Sequence, residues 1–234
     1  MNVNPRICVS IGRETIDDAL ATADAIASRA DVLEIRLDYL ALPAVSPFLN
    51  TLTTPLLFTN RPAWEGGEFD GSEEERMGAL LEAVAENSDY VDLELLAPDD
   101  SHQKMRTALR ESRTKLILSW HNFQDTPGRE ELVGRMAMMQ DKGADIGKII
   151  TTAHSHQDVM RVLQLQETAE ELGFPLIAFC MGRPGVVSRV ATCDLGGYMT
   201  YCAVSDREAT APGQLSVQAL REIFSLMGSR ENDH

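Results

Sequence analysis

The sequence is poor in lysine, in aromatic residues and in long apolar runs. Lysine occurs only as Lys104, Lys115, Lys142 and Lys148; the other basic side chains are arginines. With 21 lysines and arginines against 36 acids, the formal net charge is −15. A phosphate backbone is bound by a basic surface, so nucleic acid is excluded as a partner. The acidity favours solubility through self-repulsion. An acidic, lysine-poor surface suits a salty cell interior, and Arg-rich coding would give the same bias. No apolar run approaches the roughly 18 residues that span a bilayer, so no membrane partner is expected. Residues 1–10 lack the basic segment and long apolar stretch of a secretory signal, which makes the cytoplasm the expected location.

Other absences narrow the chemistry. The four cysteines, Cys8, Cys180, Cys193 and Cys202, form no Cys-x-x-Cys pair and read as buried, reduced thiols. No Gly-x-Gly-x-x-Gly follows the first strand candidate. Residues 143–148 hold a glycine before a lysine but lack the spacing and the Ser or Thr of a phosphate loop. His154 and His156 sit in a loop without a third ligand for a catalytic zinc. The sequence therefore points to no metal and no cofactor.

What is present is an alternation. Short apolar, β-branched runs at 7–11, 32–37, 55–59, 90–95, 115–120, 146–151, 175–180 and 198–204 read as strands. Helical patterns follow at 15–28, 47–52, 73–86, 102–110, 130–142, 157–172, 186–191 and 216–227. Repeated strand–helix units give parallel strands, because each crossover returns the chain to the same edge. Eight such units in 234 residues favour a closed (β/α)8 TIM barrel of the α/β class over an open sheet. One catalytic domain is expected over 1–234, with 228–234 a polar, frayed tail.

Barrel strands are covered on both faces and should be almost wholly apolar. Several of these are not, and their polar residues cluster toward the C-terminal ends, where this fold builds its sites. Glu34, Arg36 and Asp38 alternate, which puts them on one face. Asp92 and Glu94 do the same, the third strand runs into Arg61, and the fifth ends in Ser119-Trp120-His121. Lys148 is the one lysine placed mid-strand. Burial strips solvation from an ammonium and favours the neutral amine, the nucleophile that attacks a ketone. The alternative is a core ion network with Glu34, Asp92 or Glu94, and nothing local separates the two readings. Residues 181–189 are glycine-rich and open a short helix, an anion-binding form, and Arg189 offers a two-point fork for a carboxylate. Residues 64–71, acidic and glycine-rich, are expected to form a mobile loop over the mouth, with Glu65 close to the site.

Together these stretches resemble type I 3-dehydroquinate dehydratase, a Schiff-base-forming family. The matching pieces are Glu34-Ile35-Arg36, Thr59-Asn60-Arg61 with Glu65, Asp92-Leu93-Glu94, Ser119-Trp120-His121-Asn122-Phe123, Lys148-Ile149-Ile150, Met181-Gly182, Ser188-Arg189, and Ala211-Pro212-Gly213-Gln214. Each is weak alone; their order along the chain is specific. The resemblance implies loss of water from 3-dehydroquinate to give 3-dehydroshikimate, a step of the shikimate pathway. Lys148 would condense with the ketone. His121, oriented by Glu65 and titrating near neutrality, would be the general acid and base. Arg189 and Gln214, with Arg61 nearby, would hold the carboxylate and close the loop. Glu34 and Arg36 would bind ring hydroxyls, and Met181 and Tyr201 would wall the pocket. Asp92 and Thr210 are counted among the substrate contacts, and the segment 205–214 would be a lid excluding water. A homodimer is implied as well.

The chain departs from the common pattern at Tyr201, where Phe is usual, in Ala178-Phe179-Cys180-Met181, and in a longer, more charged 205–210 segment. The competing classes are a Schiff-base aldolase or transaldolase barrel, a non-catalytic sugar-acid-binding barrel, and a metal-dependent hydrolase.

Overall fold

The computed structural model describes residues 6–205, 208 and 213–228. Eight parallel strands lie in the order β7-β6-β5-β4-β3-β2-β1-β8. They are β1 (Ile7–Ile11), β2 (Val32–Arg36), β3 (Leu56–Thr59), β4 (Tyr90–Glu94), β5 (Lys115–Asn122), β6 (Ile146–Thr152), β7 (Leu176–Met181) and β8 (Thr200–Ala203). A backbone bond of 2.8 Å from Tyr198 N to Leu176 O ties the foot of β8 to β7, so the barrel is nearly closed. The helices are α1 (Ile16–Ile26), α2 (Ser46–Thr51), α3 (Glu73–Ala85), α4 (Asp99–Leu109), α5 (Arg129–Asp141), α6 (His156–Leu163), α7 (Leu165–Glu171), α8 (Val186–Asp194) and α9 (Val217–Gly228). This is the expected (β/α)8 barrel.

Local sequence sets the element ends. Thr15, Ser72 and Ser155 cap α1, α3 and α6 with their hydroxyls, the last two in reciprocal capping boxes with Glu75 and Asp158. An aspartate precedes each of β2, β4 and β6 and accepts a backbone N–H at the start of the preceding strand. Asp31 takes Ile7 N at 2.8 Å, Asp89 takes Leu56 N at 2.9 Å, and Asp145 takes Leu116 N at 2.8 Å. These side chains pin the strand register from below, and register decides which residues face inward.

Two apolar layers result. One lies between strands and helices; the other fills the barrel floor with Cys8, Val32, Leu57, Ile117, Ile146, Ile177 and Met199. Gly147 lets the outer layer approach β6, since a Cβ there would stand 2.8 Å from the Phe174 ring. Inward-facing Lys148 lies directly after it.

Three details depart from the sequence reading. The helix expected over 157–172 breaks at Gln164 into two helices, and Leu165, Gln166 and Ala169 are buried beyond the break. Asp38 does not continue β2; it lies in a 3-10 turn, Leu37–Tyr39, and folds back onto Arg36. The segment 64–71 is fastened rather than free. Gly67 N bonds Pro62 O at 3.0 Å, Phe69 N bonds Arg61 O at 3.1 Å, and Glu68 N bonds the Asp38 carboxylate at 3.0 Å. Among the described residues, no helix is long and apolar enough to cross a membrane.

Candidate active site

The inward polar residues converge on one cavity of about 80 Å³ at the C-terminal ends of the strands. Its wall includes Glu34, Arg36, Arg61, Glu65, His121, Lys148, Met181, Arg189, Tyr201 and Gln214, ten of the residues expected from the sequence. Asp92 is not on that wall. It is fully covered beneath it, because β4 places it one layer deeper, and it bonds Arg61, Ser119 and Lys148. Thr210 and most of the expected lid lie outside the described residues. Gln214 is set at the mouth by the link from Ala203 N to Leu215 O, 2.9 Å.

Lys148 points from β6 into the barrel and is 4% exposed. Its Nζ donates to Asp92 Oδ2 at 3.0 Å, lies 3.9 Å from Glu34 Oε1, and stands 4.2 Å from the centroid of the Tyr201 ring. The ion network weighed against the reactive amine is thus present around that same amine. Thr59 holds Glu34 through a 2.9 Å bond to Oε1.

Arg61 joins the two halves of the site. Its Nη1 reaches Glu94 at 2.6 Å and Ser119 Oγ at 2.7 Å, its Nη2 reaches Asp92 at 2.9 Å, and Glu65 lies 3.8 Å away. Burial works to raise the Asp92 carboxyl, but the Arg61 and Lys148 charges outweigh it and hold the group below the usual range. For Glu94 burial outweighs Arg61 and Arg76, and its carboxyl is pushed up.

His121 lies near the end of β5 with its Nδ1 2.9 Å from Glu65 Oε1, an oxygen that also accepts the His121 backbone N–H at 3.1 Å. Burial, then Arg61 and Lys148, push the imidazole well below its ordinary 6.5, rather than leaving it near neutrality as the sequence reading held. Burial pushes the Glu65 carboxyl up to about 8, with Arg61 opposing and Glu94 and Asp92 adding. The two side chains form one hydrogen-bonded pair. With one proton more it can donate; with one fewer, Glu65 accepts Nδ1–H and Nε2 is a free base.

Phe123 stacks on His121 with centroids 6.0 Å apart and planes 13° from parallel. It also abuts Gly66, where φ is +76° and a Cβ would come within 2.4 Å of the ring. Glycine is thus required beside Glu65 both for the left-handed turn and for the space.

Arg189, on α8, is buried with its guanidinium 4.6 Å from the Phe179 centroid, and burial lowers it to about 10, so it remains a cation at neutral pH. Arg36 is forked onto Asp38 at 2.8 and 2.5 Å. The sequence reading did not single out Ser10, and it gave no site role to Thr59, Ile150 and Phe179 on the wall or to Ser119 beneath it. Ser10 Oγ is buried and has no hydrogen-bond partner among the described residues. Small hydroxyls and apolar residues are ordinary in strands, and only the register reveals them.

The arrangement combines a buried amine, a base paired to an acid, and three guanidinium groups in one small cavity. It is suited to carbonyl addition followed by proton transfer.

Comparison with known proteins agrees. A model of the type I 3-dehydroquinase family matches residues 7–231. The chain is 53% identical over 220 residues to 3-dehydroquinate dehydratase of Desulfotalea psychrophila, covering 94% of this chain and 97% of that protein. It is 37% identical over 228 residues to the 3-dehydroquinate dehydratase of Methanopyrus kandleri, covering 95% and 100%. Among solved structures, the type I enzyme of Clostridium difficile with covalently modified comenic acid superposes with a TM-score of 0.88 at 28% identity, covering 97% of this chain and 93% of that one. The Geobacillus kaustophilus enzyme gives 0.87 at 29% identity, covering 97% and 92%.

Proposed function

This chain belongs to the type I 3-dehydroquinase family, and on that premise we propose that it removes water from 3-dehydroquinate through an imine formed on Lys148. The reaction itself, 3-dehydroquinate to 3-dehydroshikimate in the shikimate pathway, is that of a hydro-lyase.

The amine of Lys148 adds to the ketone carbon, and the carbonyl oxygen leaves as water, giving a protonated imine. That cation stands beside Asp92 and Glu34 and over the Tyr201 ring, groups already placed around Nζ. Fixed negative groups at a developing cation lower the barrier without reorganisation. The imine draws electrons from the adjacent carbon, and His121 Nε2 takes the proton there, leaving an enamine. The enamine pair then expels the hydroxyl on the next carbon, which departs as water with a proton from the His121–Glu65 pair. Water hydrolyses the conjugated imine and returns Lys148.

Arg189 is the carboxylate anchor, with Gln214 and Arg61 near it. Glu34 and Arg36 bind ring hydroxyls, and Met181 packs on the ring. Thr210 and the rest of segment 205–214 act as the lid. The homodimer, which rests on the resemblance, and the cytoplasmic location and single domain over 1–234, which rest on the sequence reading, belong to the same proposal. A monomer mass by light scattering would remove the dimer.

The observation that carries the reading is the enclosure of a strand-borne lysine amine in the cavity with a paired histidine. Lys148→Ala should fold normally and lose about a thousandfold or more in turnover, followed by enone absorbance as 3-dehydroquinate is consumed. Rates like the wild type's would contradict it. The Clostridium difficile relative, which carries covalently modified comenic acid, supports the reading of a covalent intermediate.

A further inference from the structure

We propose that Arg76, which lies outside the cavity, is a positioning residue for the dehydration: it fixes Glu94, and through Glu94 the Arg61 guanidinium that both catalytic arms share. The inference rests on the Lys148–His121 reading above.

Arg76 is on the first turn of α3, where an arginine ordinarily faces water, yet it is 1% exposed and among the largest fully buried side chains. Its Nη1 bonds Glu94 Oε2 at 2.5 Å and Asn60 O at 3.3 Å, and the Asn60 side chain returns a bond to Arg76 O at 3.2 Å. Glu94 Oε1 is 2.6 Å from Arg61 Nη1. Charges thus alternate inward from Arg76 through Glu94, Arg61 and Asp92 to Lys148, every link 3.0 Å or shorter.

Arg61 is the junction, touching Asp92, which holds Lys148, and lying 3.8 Å from Glu65, which holds His121. Glu94 is the acid that steadies Arg61 from behind, and Arg76 is its second cation. Losing that cation leaves a buried carboxylate with one partner in place of two, a costly state that the network relieves by moving. A shift of Arg61 by less than an ångström alters the partners of both the amine and the base, and errors of that size cost up to about a hundredfold in rate.

Arg76 has a second, outward arm. It forks onto Glu73 at 2.8 Å, and Glu73 accepts from Ser101 of α4 at 2.5 Å. A residue that merely fastened α3 to α4 would act through this arm and affect stability alone.

The test separates the arms. Arg76→Lys keeps one charge but cannot fork onto Glu73 and reach Glu94 together. It is expected to lower kcat about five- to tenfold with KM within about threefold. The double variant Arg76→Met/Glu94→Gln removes the cation without stranding a carboxylate, and should lower kcat about thirtyfold with KM again within about threefold. Glu73→Gln cuts only the outer arm; its melting temperature should fall while kcat stays within about twofold of wild type. The role is overturned if kcat of Arg76→Lys or of the folded double variant is within about twofold of wild type, or if Glu73→Gln loses as much kcat as Arg76→Lys. Borohydride trapping of the wild type with 3-dehydroquinate checks the premise separately. A wild type with no adduct at Lys148 fails the imine reading, whereas normal trapping with undiminished Arg76→Lys turnover fails only the role of Arg76.

Discussion

Lys148 and Asp92 meet across the intervening strand β5, with Nζ 3.0 Å from one carboxylate oxygen while the other oxygen is held by Arg61 at 2.9 Å and Ser119 at 2.6 Å. Asp92 is therefore a fixed anion whose partner is the reacting nitrogen. It is placed to serve the protonated imine during turnover.

Asp92→Asn should lower kcat and destabilise the fold by about 3–5 kcal/mol, because Arg61 and Lys148 lose a buried counter-charge. The Asp92 carboxyl lies below its ordinary 3.8 when folded. Its contribution is thus present above that value and lost as pH falls through the lowered one. Urea unfolding at neutral and acid pH should show this slope in the wild type and its loss in the variant.

Glu65 behaves oppositely. Its carboxyl is raised to about 8, so its stability contribution is complete below the ordinary value of 4.5 and is lost as pH rises through about 8. The ionised form is the one that accepts Nδ1–H and frees Nε2 of His121. Wild-type kcat/KM should rise toward a plateau with an apparent pKa near 8, while stability declines over the same interval. Glu65→Gln should lose that limb, turn over about 10–100-fold more slowly, and resist unfolding better at high pH. An unchanged limb in the variant would remove Glu65 from the titrating pair.

Tyr201 separates ring from hydroxyl. Its face lies 4.2 Å from Lys148 Nζ. Its buried Oη lies near the Cys8 thiol without meeting it at bonding geometry and has no hydrogen-bond partner among the described residues. Tyr201→Phe should match the wild type in stability or exceed it by about 1 kcal/mol, with kcat within about threefold. Tyr201→Leu forfeits the cation–π contact and should cost about tenfold in kcat. Equal damage in both variants would show that the hydroxyl is used.

Much of the site is legible in the sequence because the fold punishes polar strand residues. Glu34, Arg36, Asp92, Glu94 and Lys148 stand out in apolar runs, and the alternation within β2 and β4 suffices to put their acids and arginine on one face. Depth is less legible. Asp92 and Lys148 read alike as inward, yet register places the amine on the cavity wall and the carboxylate under it. Arg76 is illegible, because an arginine that follows three glutamates at the start of a helix looks solvated. Only the tertiary approach of α3 to the end of β4 turns it inward. Asp38 misleads because alternation does not report where a strand stops.

The most direct test is sodium borohydride reduction of the enzyme turning over 3-dehydroquinate, followed by tryptic mapping and mass spectrometry. The account predicts one reduced substrate adduct, on Lys148, with cleavage after that residue blocked, and a slower adduct at the same place in His121→Ala. Normal dehydration with an unmodified Lys148, or with the adduct on another residue, would contradict it.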